Sequence, residues 1–101
     1  MIIRGGVNIF PTEIEETLLS HQRVQDTAVV AWPSPELGEE IAAFVITDGG
    51  VTEAELLVYC RTSLAPYKVP RSVFFIDDLP KSGAGKIRKD VLARRLPRLT
   101  G

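Results

Sequence analysis

Apolar residues along this chain come in short runs divided by turn chemistry, and the runs alternate between strand-like and helix-like spacing. Ile2-Ile3 and Val7-Asn8-Ile9 are β-prone pieces on either side of Arg4-Gly5-Gly6, which predicts a tight turn or an exposed loop. Ile14 and Leu18 stand four apart and mark the buried face of a helix, for which Pro11 suits the first position. Thr12 followed by Glu15 reads as a capping box for the same helix, about one residue out of step with Pro11. Ala28-Val29-Val30-Ala31-Trp32 is a continuous apolar run bounded by Pro33 and Pro35, so residues 24–32 are expected to form a buried strand. Residues 41–46 read the same way and end on Asp48-Gly49-Gly50. Thr52 with Glu55 is a second capping box, opening a helix through Leu56, Leu57 and Cys60 that Ala65-Pro66 stops. Val73-Phe74-Phe75-Ile76 predicts a third strand, and a last helix is expected over residues 86–96, ended by Pro97.

These elements add up to an α+β fold: a small three-stranded sheet covered by about three helices, with an N-terminal β-hairpin. Residues 1–101 are enough for one domain and not two. Hydrophobic residues at 45% and charged residues at 25% place the chain among ordinary globular proteins rather than disordered tails. No apolar run approaches the roughly 20 residues a membrane span needs, and no secretory signal pattern is present. Cys60 is the single cysteine, which excludes an internal disulfide and a cysteine-built zinc site and fits a reducing, cytoplasmic setting. No spacing suggests a metal site.

Charge divides the chain. Residues 1–60 carry two basic groups against ten acidic ones, and residues 61–101 carry ten against three. Either the C-terminal part meets an anion, a nucleic acid or a phosphorylated small molecule, or two solvated faces happen to differ in sign.

Lys81-Ser82-Gly83-Ala84-Gly85-Lys86 is the sharpest local feature. Its glycines, Gly83 and Gly85, let backbone approach a ligand, and a helix opening at Lys86 would present N–H groups to an anion. A flexible surface loop with solvated lysines is the plain alternative. It is not a nucleotide P-loop: Pro80 stands where the first glycine belongs and Ile87 where the magnesium-binding hydroxyl belongs. Tyr67-Lys68-Val69-Pro70-Arg71 sets an aromatic among cations, suited to stacking on a base beside a phosphate or simply to closing over a core. Trp32 reads as core, Cys60 as a small hydrophobe, and His21 as an exposed cap of the first helix.

In order along the chain, Gly5-Gly6-Val7-Asn8-Ile9-Phe10-Pro11-Thr12-Glu13-Ile14-Glu15, Trp32-Pro33-Ser34-Pro35-Glu36-Leu37-Gly38-Glu39-Glu40, Tyr67-Lys68-Val69-Pro70 and residues 79–87 resemble motifs of acyl-CoA synthetases in the adenylate-forming superfamily. The resemblance covers that family's small C-terminal lid domain, and Ser34 stands where the family usually has aspartate. It implies an acid–thiol ligase of which this chain is the C-terminal part, inactive alone, with its own large N-terminal domain as partner and the hinge residue before Met1. ATP and coenzyme A are then the substrates, with an acyl-adenylate between them, and Mg2+ is expected in the full-length enzyme but not on this domain. The resemblance also implies that Lys86 is the adenylation lysine, approached through Gly83 and Gly85. After a domain rotation, Gly5 and Gly6 would face the pantetheine arm, with Tyr67, Lys68 and Arg71 near the nucleotide end. The lid of a carrier-protein-loading adenylation domain is the alternative within the family, and a stand-alone nucleic-acid-binding module the alternative outside it. The family reading expects no nucleic acid and no membrane span, and the acid itself is not legible.

Overall fold

In the computed structural model, residues 2–34, 38–83 and 85–99 are described, with the side chains of residues 32–34 and 96–99 left aside. Strands β1 (Ile2–Arg4) and β2 (Val7–Ile9) pair antiparallel, Ile2 with Ile9 and Arg4 with Val7. Gly5 and Gly6 form the two-residue turn, and their φ angles of 57° and 82° are the two positive values a type I′ hairpin requires. Arg4 therefore belongs to a strand and not to the turn.

Helix α1 (Pro11–Leu19) starts on Pro11, where the missing N–H is one that no helical carbonyl would have met. Thr12 then lies inside the helix, so the capping box expected from Thr12 and Glu15 does not form; the N-cap is Phe10, without a side-chain bond. Glu15 instead reaches the adjacent strand and accepts the Val29 N–H at 2.9 Å. The second capping box does form. Thr52 Oγ1 accepts from Glu55 N and Glu55 Oε1 from Thr52 N, opening α2 (Glu53–Ser63). Leu64 follows in an extended conformation, ahead of a single 3-10 turn at Pro66–Lys68.

Three core strands follow the apolar runs. β4 (Gly38–Thr47) is central, antiparallel to β3 (Val24–Ser34) and parallel to β5 (Ser72–Phe75). The hairpin joins them through the pairing of Arg4 with Gly38, so sheet and hairpin form one five-stranded sheet. β3 continues past Trp32 because it is an edge strand. Val29 directs its N–H off the sheet toward Glu15, and Pro33, four residues on, puts its hydrogen-free nitrogen on the same outer side, where no ladder bond is lost.

Both faces of the sheet are covered, which is why its strands read as unbroken apolar runs. On one face Val29, Ile41, Ala43, Val45 and Val73 pack under α1 and α2, against Ile14, Leu18, Leu56 and Cys60. Ala28, Val30, Ala42 and Phe44 point to the other face and meet Leu79, Ile87 and Leu92. Phe44 is fully buried with its ring 5.5 Å from that of Phe74, and truncating it to Ala would cost about 3–5 kcal/mol.

α3 (Lys89–Leu99) covers this second face, starting three residues later than expected and including Pro97 in its last turns. The late start has a local cause: Arg88 N donates to the Pro80 carbonyl at 2.7 Å, closing off the preceding loop before helical bonding begins from the Arg88 carbonyl. His21 does not cap α1, whose C-cap is Ser20. Its Nδ1 accepts the Arg23 N–H at 3.0 Å and its ring stands edge-on to Tyr59. Cys60 is buried as expected, and burial pushes its thiol up to about 11. The expected core placement of Trp32, the position of Ser34's side chain, and the motif residues Pro35, Glu36 and Leu37 lie outside the described residues.

Candidate functional site

Lys86 sits on a loop closed by backbone hydrogen bonds, not at a helix N-terminus. Lys81 and Ile87 face each other as an antiparallel bridge, Ser82 N donates to the Lys86 carbonyl at 2.7 Å, and Gly85 N donates to the Ser82 carbonyl at 2.9 Å. Gly85 makes the reversal with φ of 81°, a value glycine adopts without strain. Gly83 lies in the turn with open space around it, and Ala84 is outside the described residues. Leu79 on one arm, Ile87 on the other and Leu92 beyond fasten the loop to the second core. Lys86 is thereby held out into solvent. Lys68 and Lys89 have carboxylate partners, whereas Lys86 has none among the described residues.

Just after the loop, Arg88 grips Asp90 with two bonds of 3.0 and 2.7 Å. Hydrogen bonding from Arg88 brings the Asp90 carboxyl down to about 2, and the residue sits in the first turn of α3, where a carboxylate suits the helix dipole.

The other expected site residues gather on the opposite face of the sheet. Arg4 Nη1 donates to the Tyr67 carbonyl at 2.9 Å, which brings the Gly5-Gly6 turn and the Tyr67-Lys68 segment into one group. Gly6 has nothing within 4 Å of where a Cβ would stand. Tyr67 is half exposed. The Lys68 ammonium lies 5.7 Å from the Tyr67 ring centroid and bonds both Glu13 oxygens at 3.0 and 2.8 Å, which raises its pKa. Arg71, Arg4 and Arg61 line a cleft of about 440 Å3 together with Pro66 and Val69. Sequence reasoning missed Arg61; its place in the last turn of α2, on the same cleft as Pro66, becomes visible only once the 3-10 turn is placed.

The candidate residues thus form two groups anchored on opposite faces, Lys86 with α3 and Gly5, Gly6, Tyr67, Lys68 and Arg71 with α1 and α2. Among the described residues no cluster of histidine, cysteine, aspartate or glutamate could hold a metal, and no helix is long and apolar enough to cross a membrane.

With this geometry in hand, comparison with known proteins is specific. The family profile of the AMP-binding enzyme C-terminal domain matches residues 13–86, and the chain belongs to that family. A 2-succinylbenzoate–CoA ligase of Bacillus cereus is 44% identical over 87 residues, covering 86% of this chain and 18% of the relative. The solved structure of a Mycobacterium tuberculosis fatty acyl CoA synthetase superposes with a TM-score of 0.92 at 39% identity, covering 98% of this chain and 20% of the other. ATP-bound MatB from Rhodopseudomonas palustris gives 0.91 at 34% identity with the same coverage. The chain therefore spans about one-fifth of the length of the proteins it matches. The family assignment favours the lid-domain reading over a stand-alone nucleic-acid-binding module.

Proposed function

We propose that this domain is the mobile C-terminal part of an acyl-CoA synthetase and works with a large N-terminal domain that binds ATP and the carboxylic acid. In the first half-reaction the carboxylate attacks the α-phosphate of ATP, forming an acyl-adenylate and releasing pyrophosphate. Negative charge gathers on the phosphoryl and carboxylate oxygens, and a positioned ammonium stabilises it. Lys86 is the group for this task. The observation that carries the assignment is its exposure, without a carboxylate partner among the described residues, on a bridged loop. Lys81 on the same loop is exposed too, and the resemblance of residues 79–87 to the family motif selects Lys86. Gly83 and Gly85 leave the loop slim enough to enter a cleft.

In the second half-reaction the lid rotates and the thiol of coenzyme A displaces AMP from the adenylate, forming the thioester. Gly5 and Gly6 leave room for the pantetheine arm, while Tyr67, Lys68 and Arg71 lie toward the nucleotide end. The arginines around the neighbouring cleft suit its phosphates. Mg2+ accompanies ATP, and we assign its ligands to the large domain. A cytoplasmic setting fits the use of ATP and the free thiol of Cys60.

The test is pyrophosphate release by the full-length protein against a panel of fatty and aryl acids, with Lys86→Ala alongside. The substitution should remove adenylation by about 100-fold or more, the scale seen when one transition-state donor is lost. It should spare thioester formation from a supplied synthetic acyl-adenylate. Unchanged pyrophosphate release would refute the assignment.

A further inference from the structure

Glu15 and Lys89 come from helices on opposite faces of the sheet and meet at the outer edge of β3. Glu15 Oε2 accepts the outward Val29 N–H at 2.9 Å and lies 3.0 Å from Lys89 Nζ. We propose that Glu15 is a positioning residue for adenylation, holding the Lys86 loop in register through Lys89; the inference rests on the adenylation role of Lys86.

Three observations support it. First, Lys89 opens α3, where an ammonium is opposed by the helix dipole, and the Glu15 carboxylate offsets that repulsion. Second, Glu15 is a rigid post. Its side chain is 18% exposed and tied to strand backbone, whereas that of Lys89 is 41% exposed and carries the flexible stem. Third, the loop has restraints of two other kinds. Leu79, Ile87 and Leu92 press it onto the sheet, and the Arg88–Pro80 and Ser82–Lys86 backbone bonds join its arms. The backbone bonds are internal to the loop and the packing ties it to the second face alone, so neither links it to the helices of the first face. The Glu15–Lys89 pair instead runs from the residue that opens α3, just after the loop, across the outer edge of β3 to α1 on the other face. A half-exposed ion pair adds little to global stability, so its effect should fall on geometry. Displacing a reacting group by about 1 Å can cost about 100-fold in rate.

The experiment compares Glu15→Gln, Lys89→Met and the double variant in the full-length protein, using the best acid from the panel and its synthetic adenylate. Gln keeps an oxygen for the Val29 N–H while removing the charge, so the strand tie survives. Each single variant should lower adenylation about tenfold, and the double variant should fall no further, because both remove the same link. Thioester formation from the supplied adenylate and the thermal midpoint should stay at wild-type values. Equal loss in both half-reactions would show general damage and overturn the proposal. Multiplying losses in the double variant, or unchanged adenylation while Lys86→Ala abolishes it, would overturn it too and leave the role of Lys86 standing. Adenylation surviving Lys86→Ala would overturn both.

Discussion

Arg4 Nε lies 2.6 Å from Glu40 Oε1, joining the hairpin to the central strand, and the Glu40 side chain is only 6% exposed while that of Arg4 is 24% exposed. The asymmetry makes an unequal prediction. Arg4→Leu strands a carboxylate with almost no access to water and should cost about 3 kcal/mol. Glu40→Gln leaves a guanidinium that still reaches solvent and still donates to the Tyr67 carbonyl, and should cost about 1 kcal/mol. Urea midpoints of the two variants check the order; equal losses would mean the pair is not the source.

Asp90 offers a pH test with a defined sign. Its folded carboxyl titrates at about 2 against an ordinary 3.8, because Arg88 hydrogen-bonds the ionised form. A depressed carboxyl contributes stability that is present above the unfolded value and is lost as pH falls through the folded one. Loss from this group therefore belongs between pH 4 and 2. An NMR titration should place the Asp90 midpoint near 2 in the wild type and back in the normal carboxylate range in Arg88→Gln. A midpoint indifferent to that substitution would reject the Arg88 pairing as the cause.

Cys60 makes the opposite case. Burial raises its thiol from 9.0 to about 11, so between those values the unfolded chain has released a proton that the folded one retains. Stability from keeping the thiol neutral is full below pH 9 and declines as pH rises toward 11, by on the order of 2 kcal/mol. Cys60→Ala has no thiol to keep neutral. Denaturation of the two proteins at pH 8 and pH 11 should show the wild type losing more; parallel losses would assign the alkaline sensitivity elsewhere.

The contrast between two similar sequence signals explains what was legible. Thr52 and Glu55 form their capping box because nothing else claims the helix start, whereas Pro11 takes the first helical position and carries Thr12 inside. The strands were legible because both faces are buried and no polar alternation interrupts them. Passage of β3 through Pro33 was not, since it depends on β3 being an edge, a fact of topology. The candidate site divides the same way. Lys86 and the Gly5-Gly6 turn were legible as motifs, each local in sequence. The hydrogen-bonded loop beneath Lys86 was not, because it requires Arg88 to find Pro80 and Ile87 to reach the second core. Nor were the pairings of Arg4 with Glu40 and Glu15 with Lys89, each bridging a long stretch of chain.

Gly6 separates conformational need from room for a ligand. Its φ of 82° strains any L side chain, by about 1–2 kcal/mol, yet a Cβ there would meet nothing within 4 Å. Gly6→Ala and Gly6→Leu therefore carry the same backbone strain and differ in bulk projecting from the turn. If that space admits the pantetheine arm, Gly6→Leu should slow thioester formation from supplied acyl-adenylate by about tenfold or more beyond Gly6→Ala, with adenylation alike in both. The comparison is internal, since any loss of folded protein would appear in both half-reactions. Equal thioester rates in the two variants would remove the turn from the coenzyme A path and leave its glycines with the hairpin alone.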